Sequence, residues 1–328
     1  MNKNLKQKFI IIIFGPTAVG KSSFAESIAC KIPSQIINCD IGQFYTPLSI
    51  GTAKPDWKSS DIKQHLFDII DEPKYFDVCQ YRNMLFKQAE KIWQDNEIPI
   101  LVGGSGFYLK SLFFPPVDQC LQTEEEIPKE IGDENLWEAL HKIDPKRAAE
   151  IDKNDTYRIK RALNIWEKTG KKPSEFVPTF DFPSNFLFIF LNRDRKELYE
   201  RINQRVLQMI DEGLVPEVEA LLGTEWESFL HKKKIIGYNA ILEYLQGNQT
   251  KENLQRAIES IQQRTRNYAK RQITFWKSFE KQLKEQLKEI KSEDKNKQVK
   301  SKIESIDLTF FDLDLYIKQL LIYLKPLF

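Results

Sequence analysis

Short apolar runs alternate with amphipathic stretches through the N-terminal part of the chain. FIIIIF at residues 9–14 is continuously apolar, which predicts a strand buried on both faces. Residues 21–31 carry helical spacing, and QIINCD at 35–40 predicts a second strand that ends in a carboxylate. Val78, Tyr81, Leu85, Ala89 and Ile92 recur with a helical period, so a helix is expected over 78–94. EIPILVGG at 97–104 reads as a third buried strand, followed by a glycine turn and a short helix from Phe107. Strands alternating with helices in this way predict βαβ units and a parallel sheet.

The pattern changes after Pro115-Pro116. Residues 119–134 are acidic and polar, and LWEALHKI, AAEI and YRIKRALNIWEKTG then read as helices. FLFIFLN at 186–192 returns to strand, and LYERINQRVLQMIDEG reads as a helix stopped by Gly213. The expected architecture is an α/β phosphate-loop core, its parallel sheet flanked by helices, interrupted by an all-helical insertion. The core takes 1–117 and 183–280, and the insertion takes 118–182. Residues 281–328 are left as a charged linker and a C-terminal amphipathic segment that docks back on the body. The lysine- and glutamate-rich stretch 277–302 reads as a solvated helix, with a basic surface for a polyanion as the alternative.

Composition narrows the function classes only a little. The 328 residues are 41% hydrophobic and 29% charged, as in ordinary globular proteins. Lys plus Arg, 49, nearly cancel Asp plus Glu, 47, leaving a net charge of +2, so any polyanion surface must come from local clustering. No apolar stretch approaches the roughly 18 residues that span a bilayer, and the apolar run at 9–14 leads straight into a glycine loop, as a first strand does. No membrane association is expected. Cys30, Cys39, Cys79 and Cys120 form no C-x-x-C pair, which argues against structural zinc and for a reducing cytoplasm.

Chemistry enters at FGPTAVGKS, residues 14–22. The spacing G-x-x-x-x-G-K-S from Gly15 to Ser22 builds a loop whose amides face a phosphate, with Lys21 supplying charge and Ser22 a ligand for Mg²⁺. A nucleotide for hydrolysis, the ATP of a kinase and a non-nucleotide pyrophosphate all fit it. Asp40, at the end of the second strand, falls on the same sheet edge and is suited to metal binding, to proton abstraction or to capping a turn. The third strand runs into Gly103-Gly104-Ser105-Gly106 where many phosphate-loop hydrolases place an aspartate, which counts against NTP hydrolysis. Three helices carry basic faces: Arg158 with Arg161, Arg201 with Arg205 and Gln208, and Arg266 with Lys270 and Lys277. With Tyr157 and Tyr268 interleaved, they suit a nucleic-acid backbone.

Together these stretches resemble the tRNA dimethylallyltransferases, or isopentenyltransferases. The matching blocks are GPTAVGKS, D-x-x-Q-x-Y at Asp40, Gln43 and Tyr45, IGTAKP at 50–55, and HLFD at 65–68. They continue with VGGSGFYLKSL at 102–112, ND-x-x-RIKRAL at 154–163, TGKKPS at 169–174, IGY at 236–238 and TR-x-x-AKRQIT at 265–274. The resemblance implies that Gly15, Pro16, Thr17, Ala18, Val19, Gly20, Lys21 and Ser22 hold the diphosphate of dimethylallyl diphosphate, with Mg²⁺ at Ser22. It implies transfer to N6 of adenosine 37, beside the anticodon, with Asp40 as general base. Ser105, where the family usually has threonine, would contact substrate, and Arg205 would neutralise the leaving group.

The tRNA anticodon stem-loop would be gripped by Asp40, Ile41, Gly42 and Gln43, by Tyr157, Arg158, Ile159, Lys160 and Arg161, and by Gly237 and Tyr238. Arg266, Lys270, Arg271 and Gln272 would complete the grip. The resemblance implies a cytoplasmic enzyme, expected as a monomer. Asp40 is followed by Ile41 where the family commonly has serine, and no arginine follows the turn near 115, Lys129 being the nearest cation. No C-terminal zinc-finger signature is present. A related transferase acting on free AMP, ADP or ATP, an ATP-dependent small-molecule kinase and a non-catalytic RNA-binding protein remain as alternatives.

Overall fold

The computed structural model describes residue 5 and residues 7–116, 136–293 and 301–327. The chain divides into two compact units, one formed by residues 1–109 and 183–328, the other by 110–182. In chain order the first unit begins with β1 (Phe9–Phe14), α1 (Lys21–Ala29), β2 (Ser34–Asn38) and β3 (Gln64–His65). It continues through α2 (Val78–Gln94), β4 (Ile98–Gly103) and α3 (Gly106–Phe113), within which the unit boundary falls. The second unit carries α4 (Leu136–Ile143), α5 (Pro145–Ala149) and α6 (Thr156–Thr169). The first unit resumes with β5 (Asn185–Asn192), α7 (Arg195–Asp211), α8 (Leu214–Glu219), α9 (Glu225–Lys233), α10 (Tyr238–Gln246), α11 (Lys251–Glu293), β6 (Lys302–Asp307) and α12 (Leu313–Leu324).

Six strands form one sheet in the order β3-β2-β4-β1-β5-β6, and every pairing is parallel. β1 is central, with Phe14 opposite Gly103 on one side and Phe190 on the other. All six of its residues are buried, as a parallel sheet covered on both faces requires. Its faces alternate by residue. Phe9, Ile11 and Ile13 pack with Phe24 and Ile28 of α1 and with Leu198 and Ile202 of α7. Phe14 points the other way, and α11 covers that face, Trp276 stacking on Phe188 and Phe190 at 4.6 and 4.8 Å.

α2 has the predicted bounds and buries the five predicted residues, and Asp77 caps it by accepting from the amides of Cys79 and Gln80. The charged stretch after residue 277 departs from a fully solvated helix. α11 runs on to Glu293 with Trp276, Phe279, Leu283 and Leu287 buried at helical spacing, so one stripe is core and only the rest is solvated.

The C-terminal segment also differs from an appended amphipathic piece. KIESID forms β6 and extends the sheet, Leu187 pairing with Lys302 and Asn192 with Asp307. Lys302, Glu304 and Asp307 give this edge strand the charges that discourage further pairing. Ile306 with Ile317, Leu320 and Leu324 of α12 joins the main core. Periodicity over six residues with three charges is too weak to reveal such a strand.

The second unit has its own small core of Leu136, Leu140, Ala148, Ile151, Ile159, Ala162 and Leu163. Residues 117–135, including Cys120 and Lys129, lie outside the described residues. No helix among the described residues is long and apolar enough to cross a membrane.

Candidate active site at the carboxyl edge of the sheet

The loop between β1 and α1 makes its turn through left-handed backbone at Ala18 (φ 62°) and Gly20 (φ 107°). A Cβ on Gly15 would lie 2.5 Å from the Leu191 carbonyl oxygen, so glycine lets the loop leave β1 against β5. Lys21 opens α1, where unpaired helix amides favour an anion, and its Nζ donates to the Pro16 carbonyl at 2.9 Å. Ser22 follows on the exposed side.

Asp40 stands two residues beyond β2 and begins a short 3-10 turn, Ile41–Phe44, accepting from the Gly42 amide at 3.2 Å. Burial pushes its carboxyl above the usual carboxylate range, opposed by the charge of Lys21, the Gly42 amide and Arg205. Burial lowers Lys21 to about 8, with Asp40 working against that shift and Arg205 adding to it. Arg205 on α7 is likewise lowered by burial and held up by Asp40. Three ionisable groups, from the turn after β2, from α1 and from α7, therefore act on one another in one partly buried place.

The β4 turn completes the edge. A Cβ on Gly103 would sit 2.1 Å from the Cys39 carbonyl oxygen, and one on Gly104 would sit 2.4 Å from Gln272 Nε2. Ser105 is buried beside Asp40's turn, its Oγ accepting from the Ile41 amide at 3.2 Å. α7 reaches the phosphate loop with more than Arg205. Arg201 Nε donates to the Ala18 carbonyl at 2.9 Å, and Arg193 Nε, just before α7, donates to Val19 at 2.9 Å. The i, i+4 spacing of Arg201 and Arg205 carried the signal for Arg201, yet the family blocks assigned only Arg205 a role.

The IGTAKP loop closes another side. Arg205 Nη2 donates to the Ala53 carbonyl at 3.3 Å, and Gln43 Nε2 donates to Thr52 and Ala53 at 3.2 and 3.1 Å. Ile41, Gly42 and Gln43 are all partly exposed beside Asp40.

Other residues expected to touch nucleic acid have different surroundings. Tyr238 is fully buried, and its hydroxyl donates to Glu217 at 2.6 Å, so the IGY turn braces the IGTAKP loop from behind. Gly237 precedes it with φ 96°. Ile159 is 1% exposed in the second unit's core, where an RNA contact is closed to it, while Tyr157 and Arg158 on the same helix are exposed. Lys160 and Arg161 are partly exposed.

On α11 the residues separate by face. Lys270 and Arg271 are exposed and line an open groove with Asn267 and Thr274, whereas Arg266 donates to Asn203 at 2.6 Å. Gln272 is 4% exposed and points inward to the phosphate loop. A buried side chain with both amide ends occupied is a structural clamp, and nothing in the spacing of AKRQ distinguished it from its exposed neighbours.

Among the described residues no group of three or more His, Cys, Asp or Glu could hold a metal. The donors near the loop, the exposed Ser22 hydroxyl and the Asp40 carboxylate, fit a cation carried mainly by phosphate oxygens and water, the usual manner of Mg²⁺.

The model of the IPP transferase family matches residues 43–279. The tRNA dimethylallyltransferase of Pseudothermotoga lettingae is 36% identical over 278 residues, covering 83% of this chain and 87% of its own. That of Fervidobacterium nodosum is 38% identical over 290 residues, covering 85% and 90%. The full-length tRNA isopentenylpyrophosphate transferase structure from Bacillus halodurans superposes with a TM-score of 0.63 at 29% identity, covering 98% of this chain and 97% of that one. A eukaryotic dimethylallyltransferase acting on tRNA gives a TM-score of 0.69 at 29% identity, covering 82% and 70%.

Proposed function

The chain belongs to the IPP transferase family, and from that premise we propose that it transfers a dimethylallyl group from dimethylallyl diphosphate to tRNA, at N6 of adenosine 37 beside the anticodon. The observation that carries this reading is the mutual influence of Lys21, Asp40 and Arg205 at one partly buried edge, next to a phosphate loop.

The chemistry asks for two things at once. The N6 amine, conjugated to the purine, is a weak nucleophile and must shed a proton as its bond to C1 of the dimethylallyl group forms. The C1–O bond breaks in the same displacement, and its electron pair leaves with diphosphate. Asp40 takes the N6 proton, and a carboxyl whose affinity for protons is raised by burial suits that task. Charge growing on the diphosphate is met by the loop amides, Lys21 and Arg205, donors that need no reorganisation as the reaction proceeds. Arg201, seated on the Ala18 carbonyl, keeps a further guanidinium beside the loop. Mg²⁺, held by Ser22 and the diphosphate oxygens, would supply additional charge to the leaving group.

Lysine and arginine on the outer face of α11 and on α6 suit the phosphates of the anticodon stem-loop. Adenosine 37 is reached by turning it out of its stack.

The test incubates the protein with radiolabelled dimethylallyl diphosphate and Mg²⁺, and with unmodified tRNA or AMP. Label in tRNA alone, at N6 of adenosine 37 after nuclease digestion, is the expected result. Label in AMP, or none in either, overturns the reading.

A further inference from the structure

α11 is expected to face tRNA, yet two of its residues turn inward and join turns that come from three different strands. Tyr268 and Gln272 are one helical turn apart and so share a face. Gln272 Oε1 accepts from the Thr17 amide at 2.9 Å, and its Nε2 donates to the Gly104 carbonyl at 2.8 Å. A backbone N–H only donates and a carbonyl only accepts, so the orientation of this side chain is set by its two partners. The same Gly104 carbonyl accepts from the Tyr268 hydroxyl at 3.4 Å.

The chain of bonds continues towards Asp40. The Ile41 amide donates to Ser105 Oγ at 3.2 Å, which ties the turn at Asp40 to the residue next to Gly104. The Asp40–Ile41 turn is thus bonded to the Gly104–Ser105 turn, whose Gly104 carbonyl accepts from both Tyr268 and Gln272. Gly104 is the residue that allows it, because any Cβ there would strike the Gln272 amide.

We propose that Tyr268 and Gln272 are positioning residues that lock the Asp40–Ile41 turn, the Gly104–Ser105 turn and the phosphate loop into one hydrogen-bonded frame. The proposal rests on the prenyl-transfer reading. The frame joins the group that takes the amine proton to the loop that holds the departing diphosphate. In-line displacement demands that these two be held in fixed register, since small misplacements of reacting atoms cost large factors in rate. Gln272 also takes the Thr17 amide out of the set available to phosphate, which fixes which loop amides face the ligand.

The experiment uses the full chain and begins with the wild type on tRNA. If that enzyme transfers no label, the prenyl-transfer reading itself fails. With an active wild type, Tyr268→Phe removes one hydroxyl and keeps the ring. We expect kcat to fall by about tenfold or more, while tRNA Kd and the KM for dimethylallyl diphosphate stay within about twofold. In a double-mutant cycle, Ser105→Ala with Tyr268→Phe should lose less than the two single losses combined, since both side chains hold the Gly104–Ser105 turn.

Gln272→Met should raise the KM for dimethylallyl diphosphate about tenfold as the phosphate loop loosens. Thermal melting accompanies each variant. If Gln272→Met does not fold, Tyr268→Phe and the cycle decide alone. Wild-type kcat in Tyr268→Phe, fully additive losses in the cycle, or a loss carried entirely by tRNA Kd would each overturn the proposal.

Discussion

Glu217 and Tyr238 are joined by a 2.6 Å hydrogen bond, and the same carboxylate accepts the amides of Ser49, Ile50 and Gly51 at 3.1, 2.7 and 3.1 Å. One acidic side chain on α8 thus organises the start of the loop whose carbonyls Arg205 and Gln43 hold. A Cβ on Gly51 would lie 2.5 Å from the Tyr238 ring, so loop and ring are in close contact. Tyr238→Phe should lower unfolding stability by about 1–2 kcal/mol, and Glu217→Ala by more, because three part-buried amides lose their acceptor. Urea unfolding monitored by circular dichroism measures both.

Asp40→Asn should separate stability from activity. The folded carboxyl binds its proton more tightly than the unfolded one, because burial outweighs the opposing charges of Lys21 and Arg205. Between the two pKa values the native state carries more protons, so stability contributed by this group is present at low pH and lost as pH rises through the folded value. The amide removes that penalty. We expect a melting temperature at pH 7 no lower than wild type, with transfer reduced by roughly 10²–10⁴-fold. A variant that is equally inactive but markedly destabilised would contradict the sign.

Lys21 gives the opposite pH dependence. Its folded pKa of about 8 lies below the ordinary lysine value of 10.5, so the native state binds fewer protons between them. Stability of the free protein from this group therefore rises as pH climbs through that window. Bound diphosphate favours the charged amine, so binding near pH 8 should take up a proton. Calorimetry in buffers of different ionisation enthalpy should show that uptake, and affinity for diphosphate should weaken above pH 8. Lys21→Met should abolish the uptake.

Arg201 is expected to act on the donor and Arg205 on the reaction. Arg205→Ala should lower kcat by about 10²–10³-fold, the range for loss of a preorganised donor to developing charge. Arg201→Ala should instead raise the KM for dimethylallyl diphosphate by about tenfold, through the Ala18 carbonyl it holds. Steady-state kinetics with saturating tRNA distinguishes the two patterns.

Two glycines should respond very differently to alanine. At Gly103 the new Cβ meets the Cys39 backbone at 2.1 Å, which cannot yield without separating β2 from β4. A loss of about 3 kcal/mol or more is expected there. Gly223 has φ 71° and nothing within 4 Å of a Cβ, so only backbone strain of about 1 kcal/mol opposes alanine. Denaturant midpoints report the difference.

The site was legible where chemistry follows the chain locally. The phosphate loop, Asp40 at its strand end and Ser105 after the glycines occupy the places their spacing announced, because a parallel sheet delivers the ends of β1, β2 and β4 to one edge. The helix 78–94 was equally legible, since seventeen residues of clear period leave little choice. Basic residues on helices were harder. Spacing told that Arg266, Lys270, Arg271 and Gln272 lie close together, but not that Gln272 is buried while Lys270 and Arg271 face water.

By itself, then, the sequence determined the phosphate loop, the parallel α/β core and the family, because these depend on local backbone geometry and on short, strong patterns. Only the tertiary structure decided what each polar side chain on α7, α10 and α11 does. It turned Tyr238 to Glu217, Gln272 to Thr17 and Gly104, and Arg201 to Ala18, and it brought KIESID to the sheet beside β5. Those outcomes depend on partners distant in the chain. A polar side chain buried by packing must find its hydrogen bonds where the fold provides them.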